Sequence, residues 1–266
     1  MCYGDQVNNI MINISVCMIT FNNDRTVEGA LKSVLPWANE IIVVDSFSTD
    51  NTPEIIKKYT ENFEQRAWPG HMDQYNYTIS KAKNEWVIFI DADEEISLEL
   101  AKEIMQRIET DSGNYDGYII HRRTFYLGRW IMHGGWVPDY EIRLFKKSKG
   151  AFEGGLHAKL AVQGKIGTLE NFFFHYNYKD IADQIDTINN YSDTAARDMI
   201  ADGRKFRFID LIFRPPLRFI KEYLFKRGFM DGMPGFVIAL STVYYVFVKY
   251  AKLWELQKDL LKKEQQ

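Results

Sequence analysis

Cysteine is nearly missing from this chain: among 266 residues only Cys2 and Cys17 occur, both near the N-terminus. Two such residues make neither a disulfide framework nor a zinc ribbon, and a reducing compartment fits best. No internal repeat or low-complexity tract is present, and no basic patch followed by an apolar run opens the chain, so no secretory signal is expected. The longest apolar run, residues 236–248, is about 13 residues long and holds Ser241 and Thr242. A bilayer span needs about 20, so none is expected. No glycine-rich phosphate loop of the dinucleotide or P-loop kind follows a candidate strand. No Ser–His or Cys–His arrangement signals a covalent nucleophile. Positive charge is scarce in the body of the chain: 20 basic face 30 acidic residues before Arg204, whereas 13 face 6 from Arg204 onward. A basic segment behind an acidic body implies a surface that meets something anionic.

What is present is an ordinary globular composition, 46% hydrophobic and 26% charged, with a high aromatic share of 15%. Strand and helix patterns alternate in the first half. Residues 12–20, 40–45, 63–67 and 85–91 read as strands, and 24–35, 53–59 and 97–109 as helices. That alternation predicts an α/β fold, Rossmann-like, with a mostly parallel sheet flanked by helices. From Tyr115 the rhythm changes, to candidate strands at 118–124, 141–146 and 160–162 joined by glycine-rich segments. A helix is expected over 181–202. The expected domains are residues 12–180, with halves 12–112 and 113–180, and a helical region 181–266.

Ligands of open parallel sheets bind beyond the carboxyl ends of the strands. Three candidate strands end there in polar residues: Thr20-Phe21-Asn22, Asp45-Ser46 and Asp91-Ala92-Asp93. Asp91 and Asp93, two residues apart after an apolar strand, can share a hard divalent cation that keeps waters and bridges phosphates. The alternative is an acidic turn in which Glu94 and Glu95 favour the N-terminus of the next helix. Asp45 either caps its loop or accepts hydrogen bonds from a base or ribose.

Residues 15–22 (SVCMITFN), 42–50 (IVVDSFSTD) and 89–94 (FIDADE) resemble the nucleotide-binding half of family 2 glycosyltransferases, which have a GT-A fold. Trp68-Pro69-Gly70, residues 127–130 (LGRW), 133–145 (HGGWVPDYEIRLF), His175-Tyr176 and 228–235 resemble a narrower bacterial branch, the lipopolysaccharide-core β-glucosyltransferases. The resemblance implies a UDP-sugar donor, with Thr20, Phe21, Asn22 and Asp45 at the uridine and Gln74 and Asn76 along the donor loop. It places Asp91 and Ala92 near the ribose or metal, and Asp93 on a divalent cation, Mg or Mn. It further implies inversion at the anomeric carbon and a saccharide or glycolipid acceptor. Asp139 is then the first candidate for the base and Glu141 the reserve, with Trp130 and Trp136 stacking on a sugar. Against this, the two acids are ordinary strand-flanking residues and the tryptophans are core.

Arg143 either meets the diphosphate or ion-pairs with one of these acids. His157 and His175 are candidate metal ligands, His157 first because of its glycine-rich loop, although the branch's His-Glu reads His157-Ala158 here. A polyprenyl-phosphate sugar transferase, for which Asp139 and Glu141 would be dispensable, and a non-catalytic nucleotide- or glycan-binding module are the alternatives. Residues 204–227 mix eight Lys and Arg with aromatics and are interrupted by Pro215-Pro216. No nucleic-acid motif accompanies them, so no nucleic-acid partner is expected. The reading is peripheral contact with the inner face of the cytoplasmic membrane through 204–250 in a cytoplasmic protein; the alternative is a helical subdomain packed on the sheet.

Overall fold

Continuous β-branched and aromatic runs form the strands that carry the site. In the computed structural model, which describes residues 13–111, 113–154 and 158–264, these are β1 (Ile14–Thr20), β2 (Glu40–Asp45) and β4 (Trp86–Asp91). All three are buried on both faces, as parallel strands under covering layers must be. With the short β3 (Phe63–Gln65) they lie side by side, all parallel, in the order β3-β2-β1-β4. The register aligns their ends: Thr20 pairs with Asp45, and Ile19 with Asp91.

Beyond β4 the sheet turns antiparallel through β8 (Tyr140–Lys146) and β6 (Gly117–Tyr126), then reaches β11 (Ile166–His175) and β5 (Glu94–Ile96). Between β6 and β8 the register slips by one residue. Ile142 and Leu144 face the consecutive residues Ile119 and Tyr118, which leaves Arg143 as an extra residue in β8. Such a bulge re-aims one side chain.

Helices α1 (Val27–Val34), α2 (Thr52–Ile56) and α4 (Leu98–Asp111) pack Leu31, Ile56 and Ile104 with Ile88 and Ile90 on one face. The other face is covered by α3 (His71–Lys81) and the hairpin of β9 (Gly150–Glu153) and β10 (Lys159–Val162), around Phe89, Phe145 and Phe152. Cys17 lies in this second core, and burial pushes its thiol far up. It is a packing residue.

The chain divides into two compact units. One comprises residues up to Arg123 with Asp139–His175; the other, Thr124–Pro138 with Tyr176 onward. In this division Thr124–Pro138 groups with the helices that follow Tyr176. In that second unit the short β7 (Arg129–Trp130) pairs with the end of β6, and Tyr126 and Ile131 pack on Ile238. Helices α5 (Ile181–Ala201), α6 (Phe208–Phe219) and α7 (Gly232–Glu264) complete it, with Ala196, Tyr250 and Leu253 at their centre.

Two expectations are corrected here. Pro215 and Pro216 do not interrupt the helix; α6 runs through them. The missing N–H groups are followed directly by a π-helical turn, Ile220–Phe225. The apolar run also proves longer than its sequence implied. The helical stretch Gly228–Leu260 is long and apolar enough to cross a membrane by length and composition, with a mean hydropathy of 1.4 over its most apolar window.

Candidate active site

The three parallel strands bring the predicted residues to one edge. Asp45, fully buried at the end of β2, accepts hydrogen bonds from Thr20 Oγ1 at 2.8 Å, Ser48 N at 2.8 Å and Gln65 Nε2 at 3.0 Å, and from Ser48 Oγ. It therefore caps the β2 loop, the first of its two readings. Asn22, at φ +55°, accepts from Thr49 N on its side-chain oxygen at 2.8 Å and donates its backbone N–H to Ser48 Oγ at 2.8 Å. The β1 and β2 loops are thus stitched together by short polar side chains. Phe21 and Phe47 stand out from them, 58% and 54% exposed. Phe47 sits at φ +59°, a strained conformation for an aromatic residue and of the kind that gathers at functional sites.

Gln74 is buried under this edge, giving Nε2 to Ser46 Oγ at 3.2 Å and taking Arg66 Nη1 on Oε1 at 2.8 Å. Asn76 does something else. Both ends of its amide bind the backbone of Phe152, at 2.8 Å each, and clamp β9 to α3. The side chain of Ala92 packs in the core, so only its backbone is free to face a ligand.

At the end of β4 the acids are sorted by partner. Asp91 Oδ2 accepts from Arg143 Nη2 at 2.9 Å. The same nitrogen reaches Glu94 Oε1 at 2.9 Å, and Arg122 Nη1 meets that oxygen at 3.2 Å. Glu94 Oε2 takes Asp91 N at 2.9 Å. Glu94 is completely buried in β5, which corrects its reading as a helix-opening residue. Arg122 then binds Asp139 Oδ2 through Nε at 2.7 Å. A chain of alternating charge, Asp91–Arg143–Glu94–Arg122–Asp139, runs under the edge.

Burial works to raise the Asp91 carboxyl, but the guanidinium of Arg143, with Arg122 and His175 beyond it, more than reverses this and holds it below the usual carboxylate range. Burial lifts Glu94 instead, and the Asp91 charge adds to that. Arg143 is buried between the two and stays protonated. Its ion pairs are with Asp91 and Glu94; Glu141, exposed on β8, adds only a longer-range attraction.

Asp93 is left out of this chain. Its partner is His175, whose Nε2 lies 3.5 Å from Asp93 Oδ2. The pairing follows from register, because β11 sets His175 directly opposite Glu94. His157 lies outside the described residues. Among those residues no group of three or more His, Cys, Asp or Glu forms a closed metal cage. A hard divalent cation that binds substrate phosphates needs no such cage; one or two carboxylates suffice. Neighbouring ligands about 2.1 Å from such an ion stand about 3 Å apart, which an Asp–His pair at this separation can meet with little adjustment. Oxygen and imidazole nitrogen are both suitable donors. The residues therefore fit the cation.

Trp130 packs on Phe125 and Tyr176 with ring centres 5.1 and 6.0 Å apart, and Trp136 on Tyr126 and Tyr178 at 5.2 and 5.8 Å. Both belong to the second unit's aromatic clusters.

The profile of "Glycosyl transferase family 2" matches residues 15–168, which span the ends of β1, β2 and β4. The chain belongs to this family. It is similar over 92% of its length to an uncharacterised glycosyltransferase of Rickettsia typhi, at 31% identity and covering 88% of that protein. A "Lipopolysaccharide core biosynthesis glycosyltransferase LpsC" from Rhizobium meliloti is 26% identical, with 91% of this chain and 92% of that one covered. Among solved structures, S. aureus TarS in complex with UDP-GlcNAc is similar at 15% identity and TM-score 0.47, covering 93% and 92% of the two chains. As a family 2 glycosyltransferase with a GT-A-like sheet, the protein carries Glu94, Arg122, Gln65 and Arg66 at its site although sequence reasoning did not single them out for it. Glu94 did have a local signal, its place directly after the acidic pair. The other three act across strands and left none.

Proposed function

We propose that the protein is an inverting, divalent-cation-dependent hexosyltransferase, which moves a hexose such as glucose from a UDP-sugar to a saccharide acceptor of the cell envelope, such as a lipopolysaccharide core. The observation that carries this reading is the alignment of Thr20, Asp45 and Asp91 at adjacent strand ends with Asp93 and His175 turned to one another beside them. The likeness to a lipopolysaccharide-core enzyme over nine-tenths of both chains supports the acceptor class.

In this reading the stitched β1 and β2 loops receive the uridine, with exposed Phe21 and Phe47 offering faces for the base. Asp93 and His175 would hold the cation, and Asp91 would stand beside the ribose. When bound, the cation supplies positive charge against the leaving diphosphate. The chain's own residues do the rest. Arg143 keeps Asp91 ionised and fixed in place. Asp139, held at one oxygen by Arg122, keeps its other oxygen to accept the acceptor hydroxyl's proton, and Glu141 is the reserve. Direct displacement by that hydroxyl inverts the anomeric carbon and needs no enzyme nucleophile.

The protein is placed, in the same proposal, in the cytoplasm and peripherally on the inner face of the cytoplasmic membrane. Helix α7 supports a peripheral over a spanning arrangement through its polar ties: Ser241 Oγ donates to Gln184 at 3.2 Å, and Lys252 Nζ to Asn189 O at 2.6 Å.

Turnover tests the donor half. Incubated with UDP-glucose, Mn²⁺ and a truncated lipopolysaccharide acceptor, the protein should release UDP, and Asp93→Ala should lower kcat by about a thousandfold or more with the fold intact. Release of UDP by Asp93→Ala at the unaltered rate would remove the reading.

A further inference from the structure

The charge asymmetry of the last third has a definite place in the second unit. Arg214, Arg218 and Lys221 of α6 and its π-helical turn face Lys249 of α7 across a cleft of about 340 Å³, which Tyr245 and Tyr250 also line. Two of these charges are balanced locally: Asp210 binds Arg214 at 2.7 Å and Glu222 binds Arg218. Asp198 lies within electrostatic reach of Tyr245. Among the described residues Lys221 and Lys249 have no acidic partner; Lys249 lies over the rings of Tyr245 and Tyr250, 5.0 and 5.4 Å from their centres. Burial and the like charges of Arg214, Arg218 and Arg204 push its ammonium down. Cations packed this closely with too few acids call for an anion.

The surroundings identify where that anion comes from. In a water-bathed protein the charged face of a surface helix points outward and its apolar face inward. Here α6 and the turn after it turn Lys and Arg toward the cleft while Phe213, Leu224 and Phe225 stand 52–79% exposed. On α7, Tyr244 and Phe247 are 45% and 47% exposed. Basic groups beside an outward apolar and aromatic band match the interface of an anionic bilayer, where phosphates lie just above the acyl chains. Free phosphate accounts for the cleft but not for the band.

We propose that this cleft seats the phosphate of an anionic glycerophospholipid, with the adjoining apolar side chains entering the acyl layer. The inference rests on the interfacial reading given above and adds a defined headgroup site to it.

Co-sedimentation of the full chain with vesicles tests it. One set of vesicles is phosphatidylcholine alone, the other phosphatidylcholine with phosphatidylglycerol. Binding should require phosphatidylglycerol, and Lys221→Gln with Lys249→Gln should weaken it by about 25-fold, roughly fivefold for each charge at the surface. Lys258→Gln with Lys262→Gln removes the same charge from α7 beyond the cleft and should weaken it by only about twofold. Far-ultraviolet circular dichroism of both variants checks the helices. Glycerol phosphate in excess should compete with vesicles poorly for the unmodified protein, because it lacks acyl chains. If the cleft pair binds as well as the control pair, the headgroup site is overturned while interfacial binding stands. Absence of binding to either vesicle overturns both. Full displacement by inorganic or glycerol phosphate overturns the lipid as the source of the anion.

Discussion

Replacing Arg143 with methionine keeps much of the side chain's bulk and removes the charge between Asp91 and Glu94. Two acids then share a buried site with Arg122 and His175 left to balance them. Breaking a buried pair from one side in this way costs about 3–5 kcal/mol, so Arg143→Met should lower the unfolding free energy obtained from urea titration by that amount. An unfolding free energy within about 1 kcal/mol of the parent's would show the pair to be solvated. Acid acts on the same group. The folded Asp91 carboxyl lies below the unfolded value of about 3.9. Its stabilisation is therefore complete above that pH and is lost as pH falls through the folded value. Glu94, raised by burial, works in the opposite sense. The difference between the parent and Asp91→Asn isolates Asp91: their gap in thermal stability should narrow as pH falls below about 4. A gap that is constant over this range would contradict the assignment. The acidic run was legible because its residues are neighbours in sequence. Arg122 was not, because it reaches Glu94 from a strand 28 residues away; His175 was a candidate ligand from sequence, but its pairing with Asp93, more than 80 residues away, left no local signal.

The elements of the second unit meet through glycine. A Cβ on Gly235, in the first turn of α7, would stand 2.0 Å from the carbonyl oxygen of Gly228, a backbone atom that has nowhere to move. Gly235→Ala should therefore destabilise by about 1–3 kcal/mol, the usual cost of overpacking, read as a lower thermal midpoint. An unchanged midpoint would mean that α7 begins elsewhere. Asp231 lies in the preceding turn and fastens the loop before Gly134, accepting from His133 N at 2.7 Å and Met132 N at 3.0 Å. Patterning revealed β1, β2 and β4, whose apolar runs are unbroken, and α5, whose apolar positions repeat at helical spacing. It missed α3, where HMDQYNYTISK offers little apolar periodicity and only Gln74, Thr78 and Ile79 are buried. The strands β11 and β5 were missed as well: the alternation of β11 ends in three consecutive phenylalanines, and the only structural reading Glu94 had was the alternative of an acidic turn before the helix.

At the scale of the whole molecule, the second unit is discontinuous: Tyr126 and Ile131 find their core partner in Ile238, more than a hundred residues on. Sequence placed a boundary at residue 180, where a helical pattern follows the glycine-rich strand segments, but a packing partnership over that distance leaves no local trace. Cutting the chain near Asp202 is for this reason a poor test of membrane contact, since it also strips the Thr124–Pro138 segment of Ile238. The central claim concerns the other unit, that the edge of β1, β2 and β4 takes a nucleoside diphosphate together with a divalent cation, and thermal unfolding of the full chain tests it most directly. A ligand at about a hundredfold its Kd stabilises the folded state by about 2.7 kcal/mol, or about 5–10 °C for a chain of this size. UDP with Mn²⁺ should produce that shift in the parent, UDP alone a small fraction of it, and neither should shift Asp93→Asn. An equal shift with and without Mn²⁺, or one that survives in Asp93→Asn, would contradict the account.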